Sequence, residues 1–302
     1  MKTWTLEDIQ IRDPFVVPVP EEGAYYLFGS TDANIWGAGT GFDCYRSEDL
    51  AHWTGPIPAF RPDPAFWARE NFWAPEVYRL DHRWIMLATF KHAETQRRGT
   101  AVLASAEITG PYRPLQRGFL TPDSWNALDG TFYQDEEGQR WLVFCREWVD
   151  VQNGEIWAEK LTESWDPDPR QAPVRLFTAR EAPWVVSHPN RVFPDGQSYV
   201  TDGPFVHRLA DGSLYLLWSS FTDKGYALGG ARSPSGRIEG PWIQEARPIY
   251  DEDGGHGMVF RGLDGQLRLA LHRPNRTPHE RARFFLVEEE AGRLRIRRAG
   301  EA

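Results

Sequence analysis

The 302-residue chain has only two cysteines, and it contains no run of about 18 apolar residues that could span a membrane. Cys44 and Cys145 stand in unlike surroundings without the spacing of a metal site, so both are predicted to be free thiols. The amino-terminal segment MKTWTLEDIQIRDP also lacks the apolar core of a secretory signal. Together these features predict a soluble cytoplasmic protein that does not act at a membrane.

The chain also has fewer basic than acidic residues. It contains 34 lysines and arginines and 43 aspartates and glutamates, which gives a formal net charge of -9. No basic block is present that could follow a phosphate backbone, so nucleic acid is excluded as a partner. Aromatic residues make up 14% of the chain, and 14 of them are tryptophans. An acidic, tryptophan-rich protein suits a neutral ligand with stackable faces, such as a sugar.

One pattern returns five times, a polar turn followed by an aromatic-rich strand. The occurrences are GAYYLFGS from Gly23, DHRWIMLATF from Asp81, GQRWLVFCRE from Gly138, DGSLYLLWSSF from Asp211 and DGQLRLALHR from Asp264. Five radial sheets of short antiparallel strands make a β-propeller. We therefore predict an all-β, five-bladed β-propeller that occupies residues 1–302 as a single domain. Two β-sandwiches are the alternative, but they give no reason for one strand type to return five times.

Three aspartates share a local context, because each stands beside glycine or proline among apolar or aromatic residues. They are Asp13 in IRDPFVV, Asp129 in NALDGTFYQ and Asp202 in SYVTDGPFV. Any single one of them can be explained as a turn-forming aspartate, and for Asp129 and Asp202 taken alone that explanation is favoured. In a propeller, however, the inner strands of different blades meet at the axis, so carboxylates far apart in sequence can converge there.

Five short motifs in this order resemble glycoside hydrolase family 43, a family of five-bladed propeller enzymes. They are RDPFV, NFWAPEV, LDGTFYQDEEGQRWLVF, TDGPF and GGHGMVF, and they span nearly the whole chain. The resemblance implies that Asp13 is the general base, that Asp129 tunes and orients the acid, and that Asp202 is the general acid. The usual acid of the family is glutamate, so the aspartate at 202 has a reach shorter by one methylene.

The chemistry agrees with these roles. Inverting glycoside hydrolysis needs a carboxylic acid that protonates the leaving oxygen and a carboxylate that activates water, about 6.5–9.5 Å apart. A third negative charge nearby raises the pKa of the acid towards the working pH.

Other residues are predicted to bind substrate. Glu147 is a substitute acid or an ion-pair partner, and Glu76 is a hydrogen-bonding residue near the site. Arg273 would bind a sugar hydroxyl, hold Asp13 ionised or form a surface ion pair. Candidate aromatic residues for stacking on sugar are Trp73, Trp36, Trp148 and Phe221, among which only Trp73 stands inside a matching motif; most tryptophans are expected to be core residues between blades.

His256 follows two glycines in GGHGM, and the resemblance implies that it faces the axis, where it is a candidate ligand of a central cation. A structural calcium ion at the axis is therefore a possible addition. Nothing in the sequence resembles a dense calcium cage, and no cofactor is expected to be required.

The resulting prediction is an inverting glycoside hydrolase that cleaves xylose or arabinose linkages in oligosaccharides from plant cell walls, with the oligosaccharide as its partner. The sequence leaves open the choice of pentose, exo or endo action, and the oligomeric state. One alternative is a retaining enzyme of the fructan and sucrose type, but neither a WMNDP-like nor a Glu-Cys motif is present. Another is a carbohydrate-binding propeller without turnover.

Overall fold

The computed structural model describes residues 3–80 and 82–297, which form five antiparallel sheets in a five-bladed β-propeller. Blade 1 contains β1 (Thr3–Trp4), β2 (Arg12–Val19), β3 (Ala24–Ser30), β4 (Phe42–Ser47) and β5 (Trp53–Phe60); blade 2 contains β6 (Ala68–Leu80), β7 (Arg83–His92), β8 (Arg98–Ser105) and β9 (Arg113–Pro114). Blade 3 contains β10 (Ala127–Gln134), β11 (Arg140–Arg146), β12 (Glu155–Leu161) and β13 (Val174–Thr178). Blade 4 contains β16 (Asp202–Arg208), β17 (Leu214–Thr222), β18 (Gly225–Ser233) and β19 (Ile243–Gln244); blade 5 contains β20 (Gly255–Arg261), β21 (Leu267–Arg273), β22 (Arg281–Glu290) and β23 (Arg293–Ile296).

A small hairpin is inserted between blades 3 and 4, made of β14 (His188–Pro189) and β15 (Gln197–Ser198). Within residues 3–80 and 82–297, helical structure is limited to the 3-10 turns Pro20–Glu22 and Ala179–Glu181 and to one turn of α-helix, α1 (Trp148–Val151). No helix of the described residues is long and apolar enough to cross a membrane.

Counted outward from the axis, the first strands of the blades are β2, β6, β10, β16 and β20. The five repeated sequence motifs form the second strands, which confirms the predicted blade order. These strands are β3, β7, β11, β17 and β21, and most of their central residues are buried. Asp81, where the second motif begins, lies outside the described residues. The aromatic residues of these strands fill the layers between blades.

The first strand of every blade carries the same irregularity, one extra residue relative to its partner strand. Strand β6 has two further register shifts, one of which contains the left-handed Asn71. Each first strand has one left-handed residue at the equivalent bulge, with φ between 46° and 56°, and the five are Asp13, Ala74, Asp129, Gly203 and His256. The first strands of neighbouring blades contact one another in a closed ring, so these equivalent positions surround the axis. We call them the ring positions.

The first and last blades are joined without a shared strand among the residues described, since β1 pairs with β5 of its own blade. Backbone and side-chain contacts close the ring instead. The Ile11 N–H donates to the Glu280 carbonyl at 3.2 Å, and the Arg12 guanidinium lies 3.6 Å from the Glu280 carboxylate. Arg12, which contacts Glu280 at this junction, directly precedes the ring position held by Asp13.

Glu159 on β12 is a buried carboxyl whose Oε1 has no hydrogen-bond partner among the described residues. It lies opposite Leu142, a member of the apolar layer between blades 2 and 3, and is 5% exposed. Burial raises its pKa from an ordinary 4.5 to about 8. The folded state therefore holds this proton at pH values where the unfolded chain has lost it, and stability falls as pH rises from 4.5 to 8.

We expect Glu159→Gln to raise the thermal midpoint relative to the parent at pH 9 but not at pH 4.5, because glutamine keeps the shape and removes the charge. The difference should be at least about 2–4 °C, which roughly 1 kcal/mol produces in large domains. Thermal unfolding at both pH values measures it. Exposed Glu163 on the same blade supplies the control Glu163→Gln. A constant difference between parent and Glu159→Gln across this pH range would contradict the assignment.

Candidate active site

A cavity of about 480 Å³ opens at the bulged end of the propeller axis. The three predicted carboxylates line it together, Asp13 from blade 1, Asp129 from blade 3 and Asp202 from blade 4. His256 from blade 5 completes the group. The repeated bulge explains the convergence, because three of these four residues occupy ring positions and Asp202 directly precedes one.

Asp13 is held as a carboxylate by hydrogen bonds and cations. Its Oδ2 accepts a hydrogen bond from Ser30 Oγ at 2.8 Å, and its Oδ1 lies 3.1 Å from His256 Nδ1 and 3.5 Å from Arg12 Nε. Burial alone would raise its pKa, but the charges of His256 and Arg12 hold the pKa well below its ordinary value. Asp13 is therefore ionised at any working pH and fits the role of a base.

His272 orients the backbone of Asp13 rather than its charge. The Asp13 N–H donates to His272 Nδ1 at 3.2 Å, so this nitrogen carries no proton and acts as the acceptor. Its Nε2 lies 3.3 Å from Asn275 Oδ1, a contact that suits an N–H donor. Burial, together with the Arg12 charge, lowers the pKa of His272 to about 3, which keeps the ring neutral.

Asp129 and Asp202 form a coupled pair. Gly203 N–H donates to Asp129 Oδ2 at 3.3 Å, and the Tyr226 hydroxyl donates to Asp202 Oδ2 at 2.5 Å. Burial and the neighbouring Asp202 carboxylate raise the pKa of Asp129 well above its ordinary value. Burial acts the same way on Asp202, but the hydrogen bond from Asp129 and the charge of His256 outweigh it and lower its pKa.

The raised pKa of Asp129 and the lowered pKa of Asp202 favour a proton on Asp129 over one on Asp202 in the free protein. The sequence analysis expected the raised pKa on Asp202. The direction is opposite there, because the hydrogen bond from Asp129 and the charge of His256 stabilise the Asp202 carboxylate.

His256 supplies the positive charge at the centre of the carboxylates. Its Nδ1 lies 3.1 Å from Asp13 and 3.9 Å from Asp129 Oδ2, and its backbone N–H donates to Ser219 Oγ at 2.8 Å. Burial opposes a charge here, but the three aspartates raise its pKa to about 10. At neutral pH His256 is an imidazolium ion that balances the cluster.

Potential ligand atoms of Asp129, Asp202 and His256 lie within 4.8 Å of one another. This donor set fits calcium poorly, because Ca²⁺ takes six to eight oxygen ligands and an imidazolium has no lone pair on the nitrogen that faces Asp13. His256 as a metal ligand, and calcium at the axis, stay predictions from the sequence.

One wall of the cavity is formed by blades 2 and 3. Trp73 is anchored by its indole N–H, which donates to the Ile35 carbonyl at 2.6 Å, and the Arg98 guanidinium lies 5.1 Å from the Trp73 ring centre. Arg98 also donates to Glu147 at 2.7 Å. Glu147 is thus both an ion-pair partner and a lining residue, and burial raises its pKa despite Arg98. Trp36 packs edge-on against Trp73 and is 58% exposed.

Blade 4 contributes Phe221 to the lining, and its ring stacks on His188 of the inserted hairpin with centres 4.4 Å apart. Trp148 at the start of α1 also lines the cavity. Sequence reasoning missed His188, Arg98 and Tyr226, which stand in no recognisable motif, and His272, which stands in the repeated motif DGQLRLALHR. Arg12 was also missed, although its place beside Asp13 in IRDP is a visible signal.

Two predicted binding residues lie outside the residues that line the cavity. Glu76 is buried, accepts a hydrogen bond from the Tyr78 hydroxyl, and has its pKa raised by burial to about 7. Arg273 is ion-paired with Glu252 at 2.9 Å, and its side chain is 44% exposed. Arg12 and His256, rather than Arg273, hold Asp13 ionised. The binding roles of Glu76 and Arg273 stay predictions.

Comparison with known proteins identifies the family to which this chain belongs. The profile of Glycosyl hydrolases family 43 matches residues 8–287. The chain belongs to this family, and it is a glycoside hydrolase. Family 43 membership confirms the resemblance seen in the five motifs.

Individual relatives are named for arabinose chemistry. A crystal structure of an endo-arabinase from Bacteroides thetaiotaomicron superposes with a TM-score of 0.88 at 38% identity, covering 96% of this chain and 98% of that one. An extracellular exo-α-(1→5)-L-arabinofuranosidase from Cellvibrio japonicus is 24% identical over 84% of this chain and 72% of its own length. An extracellular endo-α-(1→5)-L-arabinanase from Thermotoga petrophila is 26% identical over 81% of this chain, which spans about half of that protein, 51%.

The prediction of a cytoplasmic protein is wrong, because the Cellvibrio and Thermotoga relatives are named as extracellular. The physical reason lies partly in the cysteines. Cys44 and Cys145 are free, as predicted, but both are fully buried. A buried thiol is shielded from oxidants, so its reduced state does not report the compartment.

Gly203 leaves room for His256, because a Cβ at position 203 would lie 2.5 Å from His256 Cγ. We expect Gly203→Ala to displace the imidazolium from Asp13 and to lower kcat by about 10²-fold, the usual cost of misplacing a catalytic group by about 1 Å. Steady-state kinetics on an aryl α-L-arabinofuranoside measures the loss.

Gly212→Ala is the matched control, because Gly212 lies on the same blade and also has a positive φ, but nothing lies within 4 Å of a Cβ there. It should lose some stability and keep kcat. Equal kcat values for the two variants would show that the fit between position 203 and His256 does not contribute to catalysis.

Proposed function

We propose that this protein hydrolyses α-L-arabinofuranosyl linkages in arabinan-derived chains, with inversion at the anomeric carbon. The observation that carries the proposal is one cavity lined by Asp13, whose pKa is held low, and by the neighbours Asp129 and Asp202, of which Asp129 has a raised pKa. An inverting glycosidase needs this division between a base and an acid. The arabinose specificity is supported by the names of the relatives, among which the Bacteroides endo-arabinase covers 96% of the chain.

In the proposed reaction, Asp13 removes a proton from the water that attacks the anomeric carbon. Asp202 gives a proton to the glycosidic oxygen as the bond to the leaving sugar breaks. Asp129 supplies Asp202 with that proton once the bound sugar covers the pair and excludes water. The proton on Asp13 then returns to solvent, and the pair is reprotonated for the next turnover.

The walls of the cavity are proposed to hold the sugar. Trp73, the exposed Trp36 and Phe221 provide apolar faces. Arg98 and Glu147 offer donors and acceptors for hydroxyl groups, and their mutual ion pair fixes their orientation before the substrate arrives.

Two further elements belong to the same proposal. Residues 1–302 act as one catalytic domain, and the reaction needs no cofactor, because acid, base and water are sufficient for glycoside hydrolysis. Xylosidase activity on xylan fragments is the second candidate within the pentose class, and the substrates of the following test separate the two.

We expect Asp13→Asn to reduce hydrolysis of arabino-oligosaccharides and of an aryl α-L-arabinofuranoside by at least about 10³-fold, because no other group takes the water proton. Proton NMR of the first product should show inverted anomeric configuration. The parent should hydrolyse an aryl β-xyloside more slowly than the arabinofuranoside.

Asp211→Asn is the control, since Asp211 is a turn residue of blade 4 bonded to Ser213 and Arg232. It should retain activity. Retention of configuration, or an active Asp13→Asn variant, would refute the assignment of the base, and faster cleavage of the xyloside would overturn the choice of arabinose.

We expect Asp202→Ala to cost about 10²–10⁴-fold on a natural arabino-oligosaccharide and far less on a glycoside of an acidic phenol, since a good leaving group departs with little protonation. Asp13→Ala should impair both substrates alike. If Asp202→Ala keeps full activity on the oligosaccharide while Glu147→Ala loses it, Glu147 is the acid instead.

A further inference from the structure

Asp202 differs from the other two aspartates in how its backbone is fixed. Asp13 and Asp129 occupy ring positions, whereas Asp202 precedes the ring position held by Gly203. Both ring-position aspartates are 6% exposed, while Asp202 is half-buried and faces the cavity. Its carboxylate is therefore set by what its side chain contacts rather than by the ring.

Tyr226 makes that contact from the third strand of the same blade. Its hydroxyl donates to Asp202 Oδ2, and the Asp202 backbone pairs with Ser219 on the strand between them. The donor therefore reaches Asp202 across β17, so the orientation of the carboxylate depends on a residue two strands away from the axis.

The Tyr226 ring has little freedom to move. It is 1% exposed and stacks against His272 with ring centres 5.6 Å apart and planes inclined by 19°. Phe221 packs against it at 5.4 Å, and a Cβ at Gly255 would lie 2.6 Å from its ring. A phenol seated this tightly gives its hydroxyl one direction, towards Asp202.

We propose that Tyr226 is the positioning residue that selects which oxygen of Asp202 donates the proton during glycoside cleavage. This inference rests on the proposed acid role of Asp202. Because Oδ2 accepts the Tyr226 O–H, the transferable proton is carried by Oδ1. Without the phenol, the short side chain can rotate and present either oxygen, and fewer encounters place the acidic proton at the glycosidic oxygen.

The step remains balanced with Tyr226 in place. The O–H bond at Asp202 Oδ1 breaks as the proton moves to the glycosidic oxygen, and the bonding pair of the glycosidic bond leaves with that oxygen. Water adds to the anomeric carbon and gives its proton to Asp13. Tyr226 keeps its own proton throughout and stabilises the Asp202 carboxylate that the transfer produces.

The test is kinetic, with Tyr226→Phe as the variant and Tyr215→Phe as the matched control. Tyr215 is also 1% exposed and belongs to the same blade, but it does not line this cavity. Both enzymes are assayed on α-(1→5)-linked arabinotriose and on an α-L-arabinofuranoside of an acidic phenol. A third comparison places Tyr226→Phe in the Asp202→Ala background.

Tyr226→Phe should lower kcat on arabinotriose by about 10–100-fold, part of the about 10²–10⁴-fold that general acid catalysis supplies, with KM unchanged. Its kcat on the acidic-phenol substrate should stay within about twofold of the parent, and Tyr215→Phe should match the parent on both. In the Asp202→Ala background Tyr226→Phe should have no further effect, because the two residues act through one oxygen.

Equal losses on both substrates, or a full additional loss in the Asp202→Ala background, would overturn the positioning role, and this double-mutant comparison remains decisive if Tyr226→Phe lowers stability. A parent that hydrolyses neither substrate would instead refute the proposed function. If the parent is active and only Glu147→Gln shows the dependence on leaving group, Asp202 is not the acid and Tyr226 positions nothing in the reaction.

Discussion

The bulge in the first strand of each blade is the constraint on which the site depends. A regular strand alternates its side chains between two faces, and an extra residue in left-handed conformation turns one side chain out of that alternation. The cost is roughly 1–2 kcal/mol for each non-glycine residue, and aspartate and histidine tolerate it better than most. Asp13, Asp129 and His256 occupy three of the five ring positions. A strained backbone repeated around the axis thus brings together residues more than a hundred positions apart.

Charge balance explains how this cluster persists in a buried place. Removing a carboxylate from water costs several kcal/mol unless a partner compensates, and three carboxylates side by side would repel one another. In the structure, two cations and a raised carboxyl pKa oppose this repulsion. His256 and Arg12 keep Asp13 ionised, and the raised pKa of Asp129 favours a proton there, which removes one negative charge. The proposed acid and base thus depend on one charge balance, so a change at His256 should affect both.

The blades and the carboxylates at the ring positions could be predicted from the sequence for the same reason, because both depend on short sequence motifs. An aromatic strand after a polar turn, and an aspartate beside glycine or proline, are visible without knowledge of tertiary contacts. Tyr226, Arg98 and His272 act across blades or strands, and no local pattern marks their roles. Glu76 shows that a residue inside a matching motif can still lie away from the cavity. Its motif WAPEV is matched, but the bulge gives the ring position to Ala74, so the glutamate lies beyond the ring, bonded to Tyr78.

Blade 4 shows why the proposed acid, Asp202, does not occupy a ring position. The His256 ring fills the space where a side chain at position 203 would stand, so that position favours glycine. The carboxylate of blade 4 comes instead from the preceding residue, which lines the cavity beside Asp129. In the proposed reaction, the neighbour in the ring therefore stores the proton, and the residue outside the ring delivers it.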